Sequence, residues 1–129
     1  MKADETSALA LLLIRGIALA RVAIGVAATL APVTAGRFQF GAATPVEAIT
    51  VRMLGARDLG LGLGALLAAP HDSAALRGWA EAGALADAVD AVAFARSGRR
   101  AGVRASRLVT LVAASSAACG MWAVRRLTE

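Results

Sequence analysis

Apolar positions along this chain neither alternate with polar ones nor recur as a single helical stripe; they fill long runs between proline and arginine breaks. The first run extends from about Ala8 to Ala31 and stops at Pro32. Thr44-Pro45 opens a second, from about Val46 to Ala69, closed by Pro70. After 71-HDS-73, where Asp72 or Ser73 can cap, a third extends from about Ala74 to Arg96, and beyond 97-SGRRAGVR-104 a fourth spans about Ala105 to Leu127. Each run is near the roughly 20 residues that cross a bilayer as a helix. No segment alternates over a strand length, and β-branched or aromatic clusters are scarce. The pattern predicts one all-α domain over residues 1–129: an integral membrane four-helix bundle with both termini on the same side.

Charges inside these runs complicate the picture. Leu108 to Val124 contains none, whereas the stretch 51-VRMLGARDLGLGLGALLAAP-70 carries Arg52, Arg57 and Asp58. A single Arg or Asp at mid-bilayer costs about 2.5–3.5 kcal/mol on insertion scales, so these groups must meet one another. Arg15, Arg21, Arg52 and Arg57 stand against Asp58, Glu81, Asp87 and Asp90, an even count. Counting from the expected helix starts, Arg15 and Glu81 share one depth and Arg21 and Asp87 another, with Arg57 near the level of Asp87 and Arg52 near Asp90. The expectation is an intramembrane Arg–carboxylate network of these eight residues. At 100° per residue Glu81 lies about 180° from Asp90, and Arg52 about 140° from Arg57, too wide a spread for one small bundle to bury. Either the outer charges snorkel to the headgroups or another protein surface covers them. A soluble Ala-rich bundle is set aside, because the polar positions do not form the broad solvent face each helix would need.

Composition agrees. Hydrophobic residues are 58% of the chain, above the roughly 45–50% of soluble domains, and much of the excess is alanine. The net charge of +5 does not point to nucleic acid, since the basic residues form no stripe interleaved with aromatics and Tyr is absent. They gather instead at 96-RSGRRAGVRASR-107, where Arg99, Arg100 and Arg104 fit a cytoplasmic loop in contact with anionic headgroups of the inner (plasma) membrane. Trp79 and Trp122 both fall near the end that holds the termini, as interfacial anchors do. Arg15 and Arg21 interrupt the first run, and acidic Asp4 and Glu5 precede it, so a retained helix is expected rather than a cleaved signal peptide.

Small residues recur every four positions at Ala56, Gly60 and Gly64, with Gly55 and Gly62 nearby, and at Ala113 and Ala117. Rows of this kind let helix backbones approach closely in lipid, which marks the second helix as the packing centre. The glycines of 55-GARDLGLGLG-64 are not a phosphate loop: no strand precedes them and the Lys-Ser/Thr pair is missing. In 81-EAGALADAVD-90, three carboxylates raise a cation or proton site, but four arginines at similar depth compete for them. The spacing also departs from the membrane alcohol phosphotransferases, whose longer Asp-rich pattern is absent. One Cys (Cys119, expected as a small buried residue) and one His (His71, in an expected turn) assemble no disulfide, thiolate cluster, haem ligation or Ser–His–Asp arrangement. No cofactor and no metal are expected.

The stretch R-x-x-G-x-R-D-x-x-L-G (Arg52, Gly55, Arg57, Asp58, Leu61, Gly62), with Asp87 and Asp90 on the next helix, resembles small uncharacterised four-helix membrane proteins of bacteria. That resemblance implies the architecture and no activity. The expected role is a non-catalytic accessory or interaction subunit, with membrane lipids and other membrane subunits or further copies of the chain as partners. The rival is a small oligomeric transporter or channel in which Asp87, Asp90 or Glu81 responds to protons or cations, and a lipid-modifying enzyme is a third, weaker class.

Overall fold

The computed structural model describes residues 2–41, 44–68, 73–97 and 103–127. These form five helices and no strand: α1 (Lys2–Leu30), α2 (Pro32–Phe40), α3 (Pro45–Ala68), α4 (Ser73–Ser97) and α5 (Val103–Arg126). The expected four helices become five because Pro32 both ends one helix and begins another. Ala31 leaves helical geometry (φ −127°, ψ 56°), and Pro32 then sits at the start of α2, where a missing N–H costs nothing. Helix α2 closes at Gly41, whose φ of 76° permits its N–H to bond the Arg37 carbonyl. At α3 the sequence T-P-V-E forms a reciprocal cap: the Glu47 N–H donates to Thr44 Oγ1 at 3.3 Å, and the Thr44 N–H donates to Glu47 Oε2 at 2.6 Å.

The four long helices form two tight pairs, α1 with α3 and α4 with α5, closed into a bundle by α1–α5 and α3–α4 contacts. The pairs are antiparallel. Gly62 lies beside Ala18 and Gly55 beside Ala28, so α3 descends as α1 rises. Ala84 meets Gly120 while Leu76 and Ala123 share one cluster, which sets α5 against α4 in the same way. Lys2 and Leu127 therefore emerge at the same end. Helix α2 folds over the opposite end, against α3, α1 and α5.

The interior holds small side chains. Ala10, Ile14, Ala18, Ala65, Leu76 and Ala123 form the core cluster near the termini, while Leu12, Leu30, Met53, Leu67, Leu85 and Leu111 face outward. Leucine outside and alanine inside inverts the usual soluble pattern. Two helical segments, Glu5–Leu30 and Arg107–Arg126, are long and apolar enough to cross a membrane. Those segments are weak support for membrane association, and four spans of equal standing do not follow from them. Helices α3 and α4 fall short because of the charges they carry.

A buried arginine–aspartate network

Arg21 is the hub. Its side chain is 9% exposed and reaches from α1 across the bundle to both α3 and α4. Nη1 donates to Asp58 Oδ1 at 3.1 Å, and Nη2 donates to the Gly83 carbonyl at 2.7 Å while lying 2.6 Å from Asp87 Oδ2. Gly83 eases this route: a Cβ there would stand 3.2 Å from Nη2, and the guanidinium would have to give by a few tenths of an ångström. Asp87 Oδ2 is held by its ion pair with Arg21 and has no aligned hydrogen-bond donor. Arg57 forms the second half. It grips Asp90 with both nitrogens, Nη1 to Oδ1 at 3.1 Å and Nη2 to Oδ2 at 2.6 Å, and donates to Asp58 Oδ1 at 3.1 Å. The order Asp87–Arg21–Asp58–Arg57–Asp90 thus ties α4, α1 and α3. Removing one member of such a buried set strands the others, at about 3–5 kcal/mol.

Five of the eight expected charges come together and three do not. Glu81 is exposed and pairs with Arg77, one turn earlier on its own helix, at 3.5 Å. Arg15 is exposed and joins no carboxylate among the described residues. The shared depth of Arg15 and Glu81 was not enough: each lies six residues from the partner that does meet, Arg21 or Asp87, and six residues turn a helix about 120° off that face. Arg52 is also exposed and donates Nε to the Thr29 carbonyl of α1 at 3.3 Å rather than meeting Asp90, which Arg57 takes instead. Along α1, the network at Arg21 sits about 9 Å from the level of Arg15 and about 12 Å from that of Thr29, at 1.5 Å per residue.

The small-residue row is also displaced. Gly55 packs against Ala28 and the Gly25 carbonyl, and Gly64 lies under the ring of Trp79. Ala56 is exposed, and Gly60 has nothing within 4 Å of where a Cβ would be. The close approach to α1 runs instead through Gly55 and Gly62, two turns apart on one face, a spacing visible in the sequence. Ala113 is buried, as expected of its row. Cys119 is exposed rather than buried.

No family model, curated protein or solved structure matches this chain. Its chemistry is therefore read from the residues alone. Each of Arg52, Gly55, Arg57, Asp58, Leu61 and Gly62 reaches another helix or the crevice beside the network. That crevice, about 20 Å³, is lined by Arg21, Asp87, Gly83, Ser116 and Trp79 and has room for about one water. Among the described residues no three His, Cys, Asp or Glu side chains gather as a metal site. His71, Pro70 and the loop with Arg99 and Arg100 lie outside the described residues, as does the Arg104 side chain, so the headgroup expectation has no geometry here.

Proposed function

We propose that this chain is a multi-pass protein of the plasma (inner) membrane whose four long helices all cross the bilayer, tied by the arginine–aspartate network, and that it serves as a non-catalytic accessory subunit of a larger membrane assembly. The observation that carries the reading is inverted polarity around every long helix. On α3, Ile49, Met53 and Leu67 face outward, and on α4 Leu85, Val89 and Val92 do so, although both helices carry several internal charges. In water such continuous apolar faces would far exceed the patches soluble monomers expose. In lipid they are the natural exterior, with the five network charges turned toward one another and Arg15, Arg52 and the Arg77–Glu81 pair left to snorkel or to meet another protein.

The accessory role draws on one edge of the network. Arg57 and Asp90 keep 32% and 24% of their side chains exposed at the α3–α4 seam. Asp90 lies eleven residues along α4 from Trp79, about 16 Å from the expected interface and therefore deep in the bilayer. Lipid tails cannot hydrogen-bond an ion pair there, whereas another polypeptide can. The rival transporter reading draws on Asp87 beside its crevice. That crevice has room for about one water and every network aspartate faces an arginine, which favours a tie over a pathway.

Native mass spectrometry of the protein extracted directly into nanodiscs tests the role. A heteromer of fixed stoichiometry is expected. A homo-oligomer without companions would transfer the assignment to the rival, and a clean monomer would overturn the accessory reading.

A further inference from the structure

The network does not balance. Two arginines, Arg21 and Arg57, face three aspartates, Asp58, Asp87 and Asp90, which leaves one negative charge in excess. The nearby cations are committed elsewhere or point away. Arg77 is paired with Glu81, Arg52 is bonded to the Thr29 carbonyl, Arg15 lies on the outer face of α1 at mid-helix, and Arg96 is exposed in the last turn of α4, six residues beyond Asp90. The most exposed edge of the network is the Arg57–Asp90 pair, at 32% and 24%. The flanks of that edge are shallow: Ala56 and Gly60 on α3 and Ala82 and Ala93 on α4 are all exposed, and nothing stands within 4 Å of a Cβ placed at Gly60. Small residues on both sides of a seam let a further helix lie close against it.

We infer that the α3–α4 seam receives a transmembrane helix of another membrane polypeptide that presents one Lys or Arg at the depth of Asp90. The inference rests on the accessory reading and names the chemistry of the partner. Charge complementarity selects this occupant. A second copy would bring an identical surplus of negative charge to a symmetric contact, whereas a basic helix neutralises the surplus and covers the pair with the polypeptide it needs.

The test uses the purified full chain in lipid bilayers with two synthetic transmembrane peptides, each an apolar Leu/Ala helix of about 20 residues. One carries a central Lys and the other a central Leu. Energy transfer from a labelled peptide reads binding, and a photo-crosslinker at Ala82, compared with one at Ala114 on α5, reads the face. The Lys peptide is expected to bind about tenfold more tightly than the Leu peptide and to crosslink at Ala82. Asp58→Asn brings the network to two against two while Arg21 keeps Asp87 and Arg57 keeps Asp90, and it should erase the preference. Asp90→Asn reaches the same count and serves if the first variant does not fold. Equal binding of the two peptides, or a preference that survives both variants, would overturn the inference. So would exclusion of both peptides by self-association through the Ala82 face, which would make a second copy the occupant. A heteromer in native mass spectrometry together with equal peptide binding would sink this inference alone; a monomer would sink the accessory reading beneath it.

Discussion

Gly60 and Gly62 lie two residues apart on α3, and the same substitution should act on them in opposite directions. A Cβ at Gly62 would stand 2.6 Å from the Ala18 carbonyl oxygen, 2.8 Å from Val22 Cγ2 and 3.0 Å from the Val22 nitrogen. Ordinary contact begins near 3.4 Å, so α1 and α3 must separate locally by about 0.8 Å, and the obstacle is largely backbone. Overpacking of this kind costs about 1–3 kcal/mol, against at most about 1 kcal/mol gained from the helix preference of alanine. Gly62→Ala should therefore destabilise the bundle by about 1–2 kcal/mol. At Gly60 nothing opposes the new methyl, and Gly60→Ala should leave stability unchanged or raise it by up to about 1 kcal/mol. Thermal unfolding of both variants in one mild detergent, followed by far-ultraviolet circular dichroism, reads the difference. Equal midpoints, or a lower midpoint for Gly60→Ala, would refute the backbone-to-backbone packing of α1 on α3.

Arg21→Met should cost about 3–5 kcal/mol, because it strands Asp87 in the interior and leaves Asp58 to Arg57 alone, and the denaturation midpoint should fall further than for any exposed arginine. Arg15→Met is the matched control and should change stability by less than about 0.5 kcal/mol in the same unfolding assay. Arg57→Lys keeps the charge but cannot grip both oxygens of Asp90, so a modest loss of about 1 kcal/mol is expected in place of the large one. Cys119, exposed on α5 within its apolar span, should resist a membrane-impermeant maleimide in intact vesicles and react fully once detergent strips the lipid.

Some of this was legible in the residues and some was not. The uncharged run of α5 and the long run of α1 announce themselves by length and composition alone. Helix α2 was hidden because a proline marks a stop and a start equally well, and only the backbone turn at Ala31 distinguishes them. Thr44-Pro45 marks the start of α3 in the sequence, while the reciprocal bonds between Thr44 and Glu47 show only in the structure. For the charges, depth could be counted along the chain, and it put Arg21 with Asp87. Relative azimuth along one helix sets Glu81 and Arg52 apart from Asp90 and Arg57, but which face meets which neighbour cannot be read without the fold, so depth alone pairs Arg15 with Glu81. Glycine spacing of four is common, and it obscured the seven-residue spacing of Gly55 and Gly62 that brings α3 onto α1.

The central claim is that α4, despite its charges, has lipid on its outer face. A nitroxide attached at Val89, which is 58% exposed, in a Cys119→Ala background reports this directly through power-saturation electron paramagnetic resonance in proteoliposomes. Oxygen concentrates in lipid tails, while a water-soluble nickel chelate stays outside. Collisions dominated by oxygen are the result this account predicts; collisions dominated by the nickel chelate would place α4 in water and contradict it.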